Sequence, residues 1–441
     1  MGQARLVGST ASTPVGAETH GMEQKLGRMI RGAAVAAGFA LALTACGGSD
    51  SGSGDSGSGD STAASGSSLV IWADENRAGP IGDLAKQWGE ENGVNVTVTQ
   101  VSFDDMKDQY NQQAPNGQGP DIFLGANDWA GEFQTSGLIA PIDLGSNAEN
   151  FAPTALEGFN VDGANYGVPV AVENVILFRN TDLAPNAPAT INEMATTGLQ
   201  VQSEGKTQFP IGLQVGDKGD AYHAYPFYSA AGGYFFGGPN SEGQYDPNDL
   251  GVGKEGSLVF ADAWAQLGSQ GAIRATFTGD DLKNAWSAGQ LPYWITGPWN
   301  ASTVQESGVP FVAEPVPGWE GVSAKSVPIV GAQGFYLNQN STNRTTAQAF
   351  LDATMNTEFM TSIYEADPRP PAWIPSQEAA ANDPIMKAIT EYGEGGFPNL
   401  PWAEMGVVYE EVGLAQQRIL GGADPKATME EARANIESRT G

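Results

Sequence analysis

The sequence predicts an α/β protein of two domains, and three observations carry that prediction. Residues 69–124 read strand, helix, strand, helix, strand. The part able to fold runs from about residue 69 to the C-terminus, roughly 370 residues, more than one hydrophobic core usually organises. Polar clusters follow directly on apolar strands, which is where open α/β sheets bind their ligands.

The first elements lie before the fold. Arg28 and Arg31 form a basic patch, and Ala33 to Leu43 is an apolar run of about a dozen residues, too short to span a bilayer and suited to a signal-peptide core. The run ends in Leu43-Thr44-Ala45-Cys46, where small residues precede a cysteine that a lipoprotein signal peptidase would expose. Residues 1–45 are therefore expected to be removed and Cys46 to carry a lipid; Met22 is a second candidate start. From Gly47 to Ser68 the chain is Gly, Ser, Asp, Thr and Ala, which cannot bury enough apolar surface to order itself. It reads as a tether with a span of roughly 25 Å. Gly52-Ser-Gly-Asp-Ser-Gly57 matches G-x-G-x-x-G only by low complexity, with no strand before it and no helix after.

Leu69 to Trp72 is a strand. Pro80 opens a helix carrying Ile81, Leu84, Ala85 and Trp88 on one face, and Gly93 ends it. Val94, Val96 and Val98 alternate as a second strand. Asp104 is the expected cap of a helix through Met106 and Tyr110, and Asp121 to Leu124 is the third strand. This order predicts a parallel sheet. Tyr166 to Val172 is extended and runs into Asn174 to Phe178, with a crossing into the second domain near Ala171–Asn174. Leu291 to Ile295 is a strand followed by Gly297-Pro298-Trp299. A single helix is expected from Ala347 to Tyr364, and the last forty or so residues are helical by their spacing of apolar positions.

Composition excludes several chemistries. Cys46 is the single cysteine, and once it carries a lipid no thiol remains for disulfides, thiolate catalysis or cysteine-bound zinc. The two histidines are His20 and His223, too few for a multi-histidine metal site. His20 precedes the fold, and His223 reads as a structural or site-wall residue. No phosphate-binding loop occurs, and no metal or other cofactor is expected. The formal net charge of −30 repels nucleic acid. A glycosidase needs only two carboxylates, so composition leaves that class open.

The polar clusters are Asp74-Glu75-Asn76-Arg77, Asn127-Asp128-Trp129 and Glu173-Asn174. One such cluster reads as an ordinary solvated loop; three in equivalent positions point to a site. Their chemistry suits a neutral polyol: carboxylates accept from hydroxyls, and Arg77 donates from a fixed fork. Trp129, Tyr222 and Trp299 are candidates to cover apolar sugar faces, with core packing as the competing reading of each tryptophan.

The chain resembles the extracellular solute-binding proteins of ABC transporters, in the cluster that includes maltose-binding protein. The matching stretches span the folded chain and include Gly119-Pro-Asp-Ile122, Val168-Pro-Val-Ala-Val-Glu173, Asp220-Ala-Tyr222, Thr296-Gly-Pro-Trp299 and Pro398-Asn-Leu-Pro401. The resemblance implies a type II periplasmic-binding-protein-like fold: two lobes, hinge crossings and a ligand cleft between them. The expected lobes are 69–172 plus 334–380 and 173–333 plus 381–441. By the same resemblance Asp74, Arg77, Asp128, Trp129, Glu173, Asp220, Tyr222 and Trp299 are the substrate-binding candidates. The implied protein is no enzyme. It is a monomeric lipoprotein on the extracytoplasmic face of the membrane that hands maltose or a maltooligosaccharide to an ABC permease. Another disaccharide such as trehalose, or a secreted glycoside hydrolase, are the alternatives. Gly125 and Val407 stand where maltose-binding protein has tryptophans; Trp129 and Trp402 are the candidates to rebuild that stacking surface.

Overall fold

The computed structural model describes residues 67–441. The removed segment, Cys46 and nearly all of the tether therefore lie outside the described residues. Strand β1 (Ser68–Ala73) buries Leu69 and Ile71 completely. Helix α1 (Ala78–Asn92) starts two residues before Pro80 and turns Ile81 and Ala85 inward. It stops at Gly93, whose φ of 66° is the left-handed conformation a glycine takes without a Cβ clash. Strand β2 (Asn95–Gln100) lies parallel to β1. Helix α2 (Phe103–Gln113) begins one residue before Asp104, behind Ser102. Asp104 is thus in the first turn, where its charge suits the helix dipole, and is not the cap. Strand β3 (Ile122–Ala126) pairs with the other side of β1, also parallel. The short helix α3 (Trp129–Thr135) follows it.

Strand β4 (Gly167–Glu173) leads through two residues into β5 (Ile176–Asn180). Then come α4 (Glu255–Gln270), α5 (Gly279–Ser287), β6 (Tyr293–Thr296), β7 (Phe311–Glu314) and the long β8 (Ile329–Asn338). The single helix expected over 347–364 is two, α6 (Arg344–Thr354) and α7 (Thr357–Ala366). Asn356 breaks it, because its side chain accepts the Phe359 N–H at 2.9 Å and caps a new helix. The C-terminal segment is α8 (Ala403–Leu420) and α9 (Pro425–Thr440), separated by glycines and restarted by Asp424 as cap with proline at the first helical position.

The first sheet is mixed, not parallel throughout. Its path runs β2, β1, β3, β8, then the two-residue strand Phe397–Pro398; β4 also pairs with β8. β8 is antiparallel to β3 and β4. The parallel βαβ units end at β3, and β8 arrives from the other half of the chain. The second sheet is three antiparallel strands, β6-β5-β7.

Two lobes follow from where the cores lie. One core gathers Leu69, Phe123, Val168 and Val170 with Ala332, Phe335 and Leu351. Others gather Val175, Phe227, Trp264 and Met405, and Ile176, Trp286 and Ile389. Core membership changes between Val170 and Val175, and again between Ile329 and Ala332. Membership changes a third time between Trp373 and Ala380, so the chain crosses at the end of β4, at the start of β8 and after Trp373. Among the described residues no helix is long and apolar enough to cross a membrane, and no group of three or more His, Cys, Asp or Glu is arranged to hold a metal.

Candidate functional site

A cavity of about 600 Å³ lies beside the crossings at the end of β4 and the start of β8, and both lobes line it. That volume is in the range of ligand sites of about 300–1,000 Å³. Seven of the eight substrate-binding candidates are on its wall: Asp74, Asp128, Trp129, Glu173, Asp220, Tyr222 and Trp299. The first-lobe wall comes from the β1–α1 turn, the β3–α3 junction and the start of α2. The second-lobe wall comes from residues 219–223, the start of α5 and the Gly297–Asn300 turn.

Arg77 does not reach the cavity, a correction to its expected role as a donor to ligand. It is 1% exposed. Its Nε donates to Asp74 Oδ2 at 2.7 Å and its Nη2 to Gln333 Oε1 at 2.5 Å. Asp74 also accepts the backbone N–H groups of Asn76 and Arg77, which closes the turn before α1. Burial pushes the Asp74 carboxyl up, but Arg77 and Arg369 outweigh it and hold it below the usual range. The guanidinium thus fixes an acceptor instead of meeting ligand itself.

Asp128 is held from the second half of the chain. Asn399, in the Pro-Asn-Leu-Pro stretch, donates Nδ2 to Asp128 Oδ1 at 2.9 Å, and Tyr409 Oη donates to Asn399 Oδ1 at 2.7 Å. Burial raises the Asp128 carboxyl, against the opposing pull of Lys107 and Asn399. Asn127, its neighbour, is wholly structural: its side chain donates to the carbonyls of Gly158 and Asn399 and accepts from the Ala332 N–H.

Each lobe contributes one tryptophan laid over a glycine. A Cβ on Gly125 would meet the six-membered ring of Trp129, and one on Gly297 would meet that of Trp299. The missing side chain at 125 is therefore the space Trp129 fills. Trp129 stacks on Phe103 at 5.2 Å and 29°. Trp299 is half-buried, 5.4 Å from the His223 ring and 6.3 Å from that of Tyr222. Trp402 does not rebuild the surface: it packs edge-on against Phe236 at 5.3 Å, away from the cavity wall.

Asp220 lies on the wall, yet its oxygens are taken. Oδ1 accepts the His223 N–H at 2.9 Å. Oδ2 accepts Gln214 Nε2 at 2.6 Å and sits 2.8 Å from His223 Nδ1. His223 is accordingly a site-wall residue beside Trp299. Asp104 faces this group across the cavity. Burial raises its carboxyl, and Asp220 and Glu75 raise it further. Two hydrogen bonds join the walls: Asn76 Nδ2 donates to the Trp299 carbonyl at 3.3 Å, and Tyr222 Oη to the Glu173 carbonyl at 3.5 Å.

The sequence reading missed Asp104, Gln214, Lys283, Gln333, Arg369 and Asn399 as wall residues. Asn399 stands in the Pro398-Asn-Leu-Pro401 stretch, and Gln333 two residues past Val330-Gly331. Arg369, in Asp-Pro-Arg-Pro-Pro, carries no local signal.

The profile of the bacterial extracellular solute-binding protein family matches residues 83–390. A galactooligosaccharide-binding protein of Bacillus subtilis is 27% identical over 410 residues, covering 90% of this chain and 93% of that protein. A maltooligosaccharide ABC transporter solute-binding lipoprotein of Streptococcus pneumoniae is 23% identical over 385 residues, covering 84% and 89%. A maltodextrin-binding protein of Bacillus subtilis is 24% identical over 351 residues, covering 76% and 81%.

Proposed function

The chain belongs to the bacterial extracellular solute-binding protein family, whose matched relatives bind substrates and are not enzymes, and on that premise we propose that it captures an uncharged maltooligosaccharide between its lobes for an ABC permease. The observation that supports this most is the joint lining of one cavity by carboxylates and tryptophans from both lobes. Asp74, Asp128 and Glu173 accept from sugar hydroxyls, and Trp129, Trp299 and Tyr222 cover the apolar faces. Arg77 supports Asp74 from behind the wall, and Asp220 holds Gln214 and His223 on it. An acidic wall repels anionic sugars, which is why the ligand is neutral. The sugar leaves intact, and closing and opening of the lobes about the crossings governs its entry and release. Cys46 anchors the protein, as a monomer on its tether, at the outer face of the membrane.

A second reading replaces the maltose-type ligand with a galactooligosaccharide. It is favoured by the Bacillus subtilis relative at 27% identity. A thermal-shift panel separates the two readings. A ligand at 100 times its dissociation constant adds about 2.7 kcal/mol to the folded state. Maltotriose is expected to raise the melting temperature and β-linked galactotriose to leave it unmoved. The reverse selects the second reading, and silence from every neutral oligosaccharide refutes both. Chromatography of the recovered sugar should return it uncleaved.

A further inference from the structure

Six buried side chains at and beneath the cavity floor form a circuit, four of them (Asp74, Glu173, Gln333 and Arg369) on the cavity wall. Asp74 pairs with Arg77, and Arg77 Nη2 donates to Gln333 Oε1 at 2.5 Å. Gln333 Nε2 donates to Glu173 Oε1 at 2.9 Å, and Arg369 Nη1 donates to Glu173 Oε2 at 2.8 Å. Arg369 Nε donates to Asp367 Oδ2 at 2.8 Å, and that oxygen lies 3.7 Å from Arg77 Nε, closing the loop. None of the six is more than 8% exposed. Four chain segments meet there: the turn before α1, the end of β4, the middle of β8 and the loop after α7. Glu173 and Gln333 sit on two of the crossing segments, so the circuit braces the place where the lobes are joined.

The arrangement has a consequence for Glu173. An ionised carboxylate has about four acceptor directions. Two of them are used, one per oxygen, by Gln333 and Arg369. Glu173 therefore cannot rotate, while one acceptor direction on each oxygen stays available. Both donors also line the cavity. A guanidinium reaches Glu173 and Asp367 at once because its donors are spread over a rigid fork; an ammonium is a single point.

We infer that Arg369 and Gln333 are positioning residues: they hold Glu173 in one orientation with its remaining acceptor places turned to the ligand. The inference rests on the reading that Glu173 meets the sugar. A merely structural brace would lower affinity and stability together and independently of Glu173. A positioning residue acts through Glu173, so its effect vanishes once that carboxylate is gone.

Isothermal titration of the full chain with maltotriose, and separately with β-linked galactotriose, tests this on Glu173→Gln, Arg369→Met, Arg369→Lys and the Glu173→Gln/Arg369→Met double variant. With whichever sugar binds, each of the first two is expected to weaken binding about tenfold, the scale of one charge-assisted hydrogen bond. Arg369→Lys should recover only part of that loss, because a single ammonium keeps the charge but cannot span Glu173 and Asp367 as the fork does. The double variant should bind no worse than the weaker single variant, within about twofold. Losses that multiply overturn the inference, as does a weakened Glu173→Gln beside an unchanged Arg369→Met. An unchanged Glu173→Gln defeats the reading beneath it and the inference together. Should Arg369→Met fail to fold, Gln333→Met with Arg369→Lys completes the same cycle.

Discussion

Gly297→Ala is the substitution whose effect the geometry specifies most sharply. The backbone at Gly297 is extended, with φ −112° and ψ −168°, so alanine meets no conformational penalty there. The added methyl instead lands on the six-membered ring of Trp299. Carbon atoms rest about 3.5–4.0 Å apart, so the ring must shift by about an ångström or more. Trp299 is half-buried and free to swing toward the cavity, so the loss of fold stability should stay below about 1 kcal/mol, under the usual range for overpacking. Binding has no such escape. The ring leaves its edge contact with His223 and its place beside Tyr222, and the ligand loses a stacking face of about 0.5–1.5 kcal/mol. Affinity should fall roughly two- to twelvefold with the melting temperature nearly unmoved. Gly125→Ala is the contrast. Trp129 is 6% exposed and wedged against Phe103 and Phe133, so it cannot swing, and about 1–3 kcal/mol of stability should go with the affinity. Titration calorimetry and thermal melts of both variants read the two quantities separately. Full affinity in Gly297→Ala, with a changed tryptophan emission to show that the ring has moved, would refute the role given to Trp299.

Two further outcomes follow from the buried polar contacts. The Asp74 carboxyl is held below its ordinary value, so its ionised form stabilises the fold above the unfolded value of about 3.9, and that contribution is lost as pH falls through the lower folded value. Asp74→Asn should therefore be less stable than the wild type by about 2–3 kcal/mol at pH 7, with the gap closing in urea melts taken below pH 4; a gap independent of pH would contradict the charge pairing. Asn399→Ala removes the donor to Asp128 and the acceptor of Tyr409, so about 1–3 kcal/mol of stability and part of the sugar affinity should be lost together in melts and titrations.

Local pattern made much of this protein legible. The strands at 68–73, 95–100 and 122–126, the glycine stop at 93 and the helical C-terminus follow from periodicity and caps within a few residues of one another. The candidate wall was legible for a similar reason. Polar residues directly after strands project from the sheet ends, and Asp74, Asp128 and Glu173 line one cavity; Asp220, also on its wall, was expected from the family resemblance alone.

What the sequence by itself determined, then, is which residues stand at the ends of strands and which helices and strands carry them. The tertiary structure alone decided what each of those residues does. Arg77 looks like a ligand contact in the chain, yet it is buried against Asp74 and Gln333, and Asp220, though on the wall, also holds Gln214 and His223. Trp402 looks like a stacking ring and is spent on Phe236. Arg369 reaches Glu173 across 196 positions, and Asn399 reaches Asp128 across 271. The physical reason is one of range. Periodicity, caps and turns act over a few residues, whereas burial and the direction of a hydrogen bond depend on neighbours that only the folded chain brings together.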